Sequence, residues 1–99
     1  MPSLRHGIDT TTPISDIQAR TYARVEGRIV WVQVEPSDAQ PRLTARIEDP
    51  SGRMDAVFQG RRVIPGIEPG RRVVLEGRVC EALAVPLMYN PRYELGAGA

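Results

Sequence analysis

The sequence predicts an all-β domain, a five-stranded Greek-key barrel with a loop and no helix between its third and fourth strands. Three observations predict it. Five segments have strand character, and the first four carry apolar residues at every second position, the spacing of a half-buried strand. The first and longest segment changes apolar phase part-way, which requires a bulge or bend. A strand that bends and serves two neighbours is what closing a small barrel needs. Finally, residues 60–70 hold Pro65-Gly66 and Pro69-Gly70, two turn-forming pairs that leave no room for a helix of ordinary length.

Residues 1–13 are polar and end in Thr10-Thr11-Thr12-Pro13, which reads as a flexible N-terminal arm. Residues 14–18 suit one helical turn, with Thr12 as its cap and Pro13 at its first position. The barrel domain spans 14–95, and the Gly-Ala-Gly-Ala tail at 96–99 is expected to be disordered.

The first strand covers 22–34. Ala23, Val25, Gly27 and Ile29 share one face; Val30, Val32 and Val34 then carry the apolar set on the opposite parity. Gly27 lies just before the change and marks the expected bend. With the valines inward, Trp31 points out. The second strand, 42–48, turns Leu43, Ala45 and Ile47 inward and Arg42, Thr44, Arg46 and Glu48 outward. Asp49-Pro50-Ser51-Gly52 has the residue preferences of a type I turn and predicts a hairpin. The third strand, 53–59, faces inward with Met54, Ala56 and Phe58. The fourth, 71–80, does so with Val73, Leu75, Gly77 and Val79. The fifth, 84–89, contains Pro86, which marks an edge or a bulge. An internal echo supports the scheme. Val25-Glu26-Gly27-Arg28-Ile29-Val30 returns as Leu75-Glu76-Gly77-Arg78-Val79-Cys80, as two equivalent strands bent at glycine would.

Composition narrows the function. A chain of 99 residues with 25% charged residues is one globular domain. Cys80 is the single cysteine and His6 the single histidine, so no disulfide, zinc cluster or His-based triad is expected. The carboxylates show no acid–base spacing, and the glycines fit neither a dinucleotide fingerprint nor a phosphate loop. The reading is therefore no cofactor, no metal and no enzymatic activity. No run approaches ~20 apolar residues, so no membrane span is expected. Residues 1–12 lack the apolar stretch of a signal peptide, which points to the cytoplasm.

The formal net charge is only +1, yet all 13 basic residues are Arg. That bias fits a GC-rich coding sequence. It also suits phosphate and base recognition, where the planar guanidinium fork outperforms an ammonium.

Five short strands, a bent first strand and a hairpin between the second and third suggest the OB-fold; the alternative is a small SH3-like barrel, which usually lacks a long bent first strand followed by a long first loop. The residues V-E-G-R-I-V, I-E-D-P-S-G-R-M-D-A-V-F, I-E-P-G-R-R-V-V-L-E-G-R-V and M-Y-N-P-R-Y-E-L resemble the small stand-alone OB-fold proteins common in actinobacteria. They are also similar to the OB wedge domain of RecG helicases and to the anticodon-binding OB domains of some tRNA synthetases. The likeness covers roughly residues 14–95. It implies single-stranded nucleic acid, DNA or RNA, as ligand, and no catalysis.

The OB ligand face comprises strands two and three. On it Arg42, Thr44 and Arg46 offer two cations and a hydroxyl to a sugar-phosphate backbone; a solvated face with ion pairs uses the same residues. Arg61 and Arg62 after strand three, and Arg71 and Arg72 opening strand four, are further phosphate candidates or simply solvated. An outward Trp31 suits base stacking, or packs beneath another segment. Phe58 has core parity, and Tyr89 and Tyr93 suit the barrel bottom or the surface. Arg24, Glu26 and Arg28 of strand one and Glu76 and Arg78 of strand four suit charge pairing across a ladder. The expected function is non-enzymatic binding of single-stranded nucleic acid through Trp31, Arg42, Thr44, Arg46, Arg61 and Arg62. The alternative is a module that binds a protein partner or dimerises.

Overall fold

The structure is a computed structural model that describes residues 10–35, 40–80 and 84–96. The hairpin forms as its turn chemistry dictates. β2 (Arg42–Asp49) and β3 (Gly52–Gln59) pair antiparallel from Asp49 opposite Gly52 to Arg42 opposite Gln59. Asp49 closes the turn itself: its Oδ1 accepts Ser51 N–H at 2.7 Å and Gly52 N–H at 2.9 Å.

β1 (Tyr22–Glu35) has 14 residues, which at ~3.3 Å each would run ~46 Å if straight. It divides its edges instead. Tyr22 to Arg28 pair with β4 (Arg72–Cys80), and Arg28 to Glu35 pair with β2. The echoed segments are thus antiparallel neighbours, with Gly27 opposite Val73 and Gly77 opposite Ala23. β5 (Leu87–Tyr89) pairs parallel with β3 and antiparallel with β4. The sheet therefore closes as a ring of five strands, β1-β2-β3-β5-β4 and back to β1. β6 (Arg92–Leu95) continues along β4, from Glu76 opposite Arg92 to Val73 opposite Leu95.

Inward parity matches the sequence pattern on β2, β3 and β4 and on β1 as far as Ile29. Val25, Ile29, Leu43, Ile47, Met54, Val73, Leu75, Val79 and Met88 are the largest fully buried side chains. Residues 60–71 hold no helix; they contribute Ile64 and Ile67, both buried in the same core. Their turn is closed by Ile67 N–H donating to the Ile64 carbonyl at 3.0 Å, around Gly66 at φ 90°.

Several details differ from the sequence reading. The register slips between Ile29 and Trp31, so Val30 and not Gly27 occupies the bulge. At that point β1 parts from β4, and Ile29 bonds to the loop instead: its N–H donates to Arg71 O and its carbonyl accepts Gly70 N–H. After the bulge Val32 packs against the core, but Val30 and Val34 are 41% and 40% exposed. The fifth strand starts at Leu87 and not at 84. Pro86 has no N–H to offer a ladder, although its carbonyl accepts Asp55 N–H at 2.9 Å. Residues 92–95, unassigned in the sequence reading, are a strand.

The helical turn is a 3-10 turn, Ile14–Asp16, and Thr12 does not cap it. Asp49 Oδ2 accepts the Ile14 N–H at 2.9 Å instead, which seats the turn on the hairpin. Most of the expected arm, His6 included, and of the expected tail lies outside the described residues. Within them, Thr12 N–H donates to Arg24 O and Gly96 N–H to Arg72 O, each at 2.8 Å.

Candidate functional site

The outer face of β1, β2, β3 and β5 is ordered in cross-strand rows because the pairings are in register. Trp31, Arg46, Asp55 and Leu87 form one row. Gln33, Thr44, Val57 and Tyr89 form the next, and Glu35, Arg42 and Gln59 the one beyond. On the other side of the Trp31 row lie Arg28, Glu48 and Arg53. Rows two residues apart are ~6.7 Å from one another along the strands.

The Trp31 row carries the strongest geometry. Arg46 grips Asp55 with two bonds, Nε to Oδ1 at 2.7 Å and Nη2 to Oδ2 at 3.1 Å. Such a fork is stronger and more directional than a single contact. Both side chains are largely buried, 23% and 18% exposed. The hydrogen bond to Asp55 holds the Arg46 guanidinium above its ordinary pKa against the opposing effect of burial, with help from the charges of Asp55 and Glu48. The guanidinium carbon also sits 4.8 Å from the centroid of the Trp31 ring. The result is an indole resting on a clamped cation.

Of the remaining sequence candidates, Thr44 lies in the next row between Gln33 and Val57, half-buried. Arg42 is exposed at the far end of β2, its Nε 3.9 Å from Glu35 Oε1. Arg61 and Arg62 are exposed just past Gly60, whose N–H donates to the carbonyl of Pro41, the residue before Arg42. The chain therefore leaves β3 beside Arg42. Arg71 and Arg72 belong elsewhere. Arg72 Nη2 bonds Glu26 Oε2 at 3.3 Å across β1 and β4, and Arg71 lies 3.9 Å from Glu68. Phe58 is in the core, its ring centroid 5.9 Å from that of Tyr93 in an edge-to-face pair.

In comparisons with known proteins, no family model matches this chain and no curated protein matches it.

The sequence reading missed Asp55 and Val57. Asp55 was legible: a turn closed by Asp49 and Gly52 puts the residue three before it opposite the residue three after. Val57 has outward parity and yet is 4% exposed, beside Tyr89 of β5. Only the parallel β3–β5 contact explains that. Among the described residues no group of His, Cys, Asp and Glu side chains is arranged to hold a metal ion. None of their helices is long and apolar enough to cross a membrane.

Proposed function

We propose that this protein is an OB-fold binder of single-stranded DNA or RNA, without catalytic activity, and that the outer face of β2 and β3, extended by Trp31, is its binding surface. The ring order β1-β2-β3-β5-β4 with β1–β4 closure supports the five-stranded Greek-key OB barrel. The observation that carries the function is Trp31. Its indole lies on the outer face, half-buried, supported by a clamped guanidinium, next to a row holding Thr44 and the 42%-exposed Tyr89. Aromatic platforms of this kind bind bases without regard to sequence. Arg42, Arg61 and Arg62 lie towards one end of the face and suit phosphates.

Trp31 is the single tryptophan of the chain, so its emission reports on this face alone. Titration with oligo-dT and oligo-rU at two salt concentrations is expected to change that emission saturably. An unchanged emission, with no binding of labelled strands by anisotropy, would overturn the proposal. The exposure of Val30, Val34 and Val63 favours a second reading, a face for a protein partner or a second copy. Sedimentation of the protein alone at increasing concentration tests the self-association arm.

A further inference from the structure

We infer that Asp55 is a positioning residue that makes this face read bases and keeps phosphates from Arg46. The inference rests on the reading above, that the face takes single-stranded nucleic acid. A lone outward arginine in the middle of such a face would be a phosphate-binding cation. Arg46 is not lone. Both oxygens of Asp55 are engaged by its Nε and Nη2, and no other charged residue stands in the two central rows. The centre of the face is therefore locally neutral, and a phosphate approaching Arg46 also meets the carboxylate.

The clamp also acts on Trp31. It holds the guanidinium over the indole, carbon to ring centroid 4.8 Å, so the ring is fixed as a platform on which a base can stack. Positive charge in excess of acid lies at the ends of the face, in Arg42, Arg61 and Arg62 with Glu35 near one end and in Arg28 and Arg53 on either side of Glu48 at the other. The ligand class this implies is a strand whose bases turn toward the sheet and whose phosphates touch only the rim.

The test compares oligo-dT with an abasic deoxyribose-phosphate strand of equal length, at two salt concentrations, by anisotropy of the labelled strand. Wild-type protein is expected to prefer oligo-dT at least tenfold. Asp55→Asn keeps the shape and removes the charge. It is expected to bind the abasic strand more tightly than wild type and to steepen the slope of log K against log salt by about 0.7. Asp55→Glu, which retains the charge, is expected to restore the wild-type slope. The double variant Arg46→Gln with Asp55→Asn removes both charges and keeps an amide pair; its slope should equal that of wild type. Thermal midpoints of all variants ensure that the folded protein is being read.

If wild type binds oligo-dT but Asp55→Asn leaves the slope and the abasic affinity unchanged, the role of Asp55 is wrong and the binding surface stands. A double variant whose slope falls by about 0.7 shows that Arg46 does meet a phosphate, and overturns the inference even where Asp55→Asn fails to fold. Wild-type protein that binds neither strand brings down the proposed function, and the inference with it.

Discussion

Trp31 and Arg46 are cross-strand partners on β1 and β2, and the guanidinium carbon of one stands 4.8 Å from the ring centroid of the other. Asp55 holds Arg46 from the opposite side. Arg46→Ala would leave a mostly buried carboxylate without either bond. The expected cost is about 1–3 kcal/mol, the range for an orphaned polar group and above that of an exposed ion pair. The accompanying sign is a shift in the emission maximum of Trp31. An unchanged melting temperature and spectrum would show that the clamp contributes nothing.

Trp31 itself separates stability from binding. Trp31→Ala is expected to weaken single-strand binding by about 1–3 kcal/mol, the worth of a stacked base. Its effect on the salt slope should be negligible, because no charge is removed. Trp31→Phe keeps a ring and should recover much of the affinity. Anisotropy of a labelled oligonucleotide reads all three proteins. Loss of stability with normal binding by the folded fraction would assign Trp31 a packing role only.

Gly27 is required by close approach and not by its backbone angles. A Cβ there would lie 2.5 Å from the Glu48 carbonyl oxygen and 2.6 Å from Ile47 Cγ2. Neither neighbour has room to retreat, since Ile47 is buried and Glu48 is in a ladder. Gly27→Val is expected to cost at least about 2 kcal/mol, within the range for overpacking. At Gly77 the nearest atoms, in Pro91, are 3.3 Å away, so Gly77→Ala should be milder. Denaturant midpoints of the two variants, with slopes compared, test the ranking.

Asp49 makes stability depend on acid. Burial pushes its carboxyl up. The bonds it accepts from the Ser51 hydroxyl and from the Ile14, Ser51 and Gly52 N–H groups outweigh that and hold it below the ordinary value. A carboxyl depressed on folding stabilises the native state above its unfolded pKa, about 3.9. That contribution is lost as pH falls through the lower folded value. Asp49→Asn is expected to be less stable at pH 7 by about 1–2 kcal/mol, having fewer acceptor sites. The gap should narrow on acidification from pH 5 to pH 2. A constant gap across that interval would remove Asp49 from the acid response.

Ile64 ties the loop between β3 and β4 to the core. It is 3% exposed and enters the core from a loop with two Pro-Gly pairs. Ile64→Ala is expected to cost about 2–4 kcal/mol, as for an isoleucine truncated in a core. A cost below about 0.5 kcal/mol would mean that the loop merely rests on the ring of strands.

The face was partly legible in the sequence. Outward parity selected Arg42, Thr44 and Arg46, and the turn register was enough to pair Arg46 with Asp55. Trp31 was less secure, because its direction depends on where the bulge falls. Val30 takes the bulge because β1 leaves β4 there and Ile29 finds its partners in Gly70 and Arg71. Those partners are some forty residues away, beyond the reach of any local pattern.

Period-two burial and turn chemistry are local properties, so the sequence alone determined the first four strands, most of their inward residues and the Asp49–Gly52 hairpin. The tertiary structure decided which distant strands meet. The parallel contact of β3 with β5, the added β6 along β4 and the burial of Val57 all depend on pairing between segments far apart in the chain. Pairing of that kind is chosen by closing the ring around one shared core, and a strand's own residues state its faces but not its neighbours.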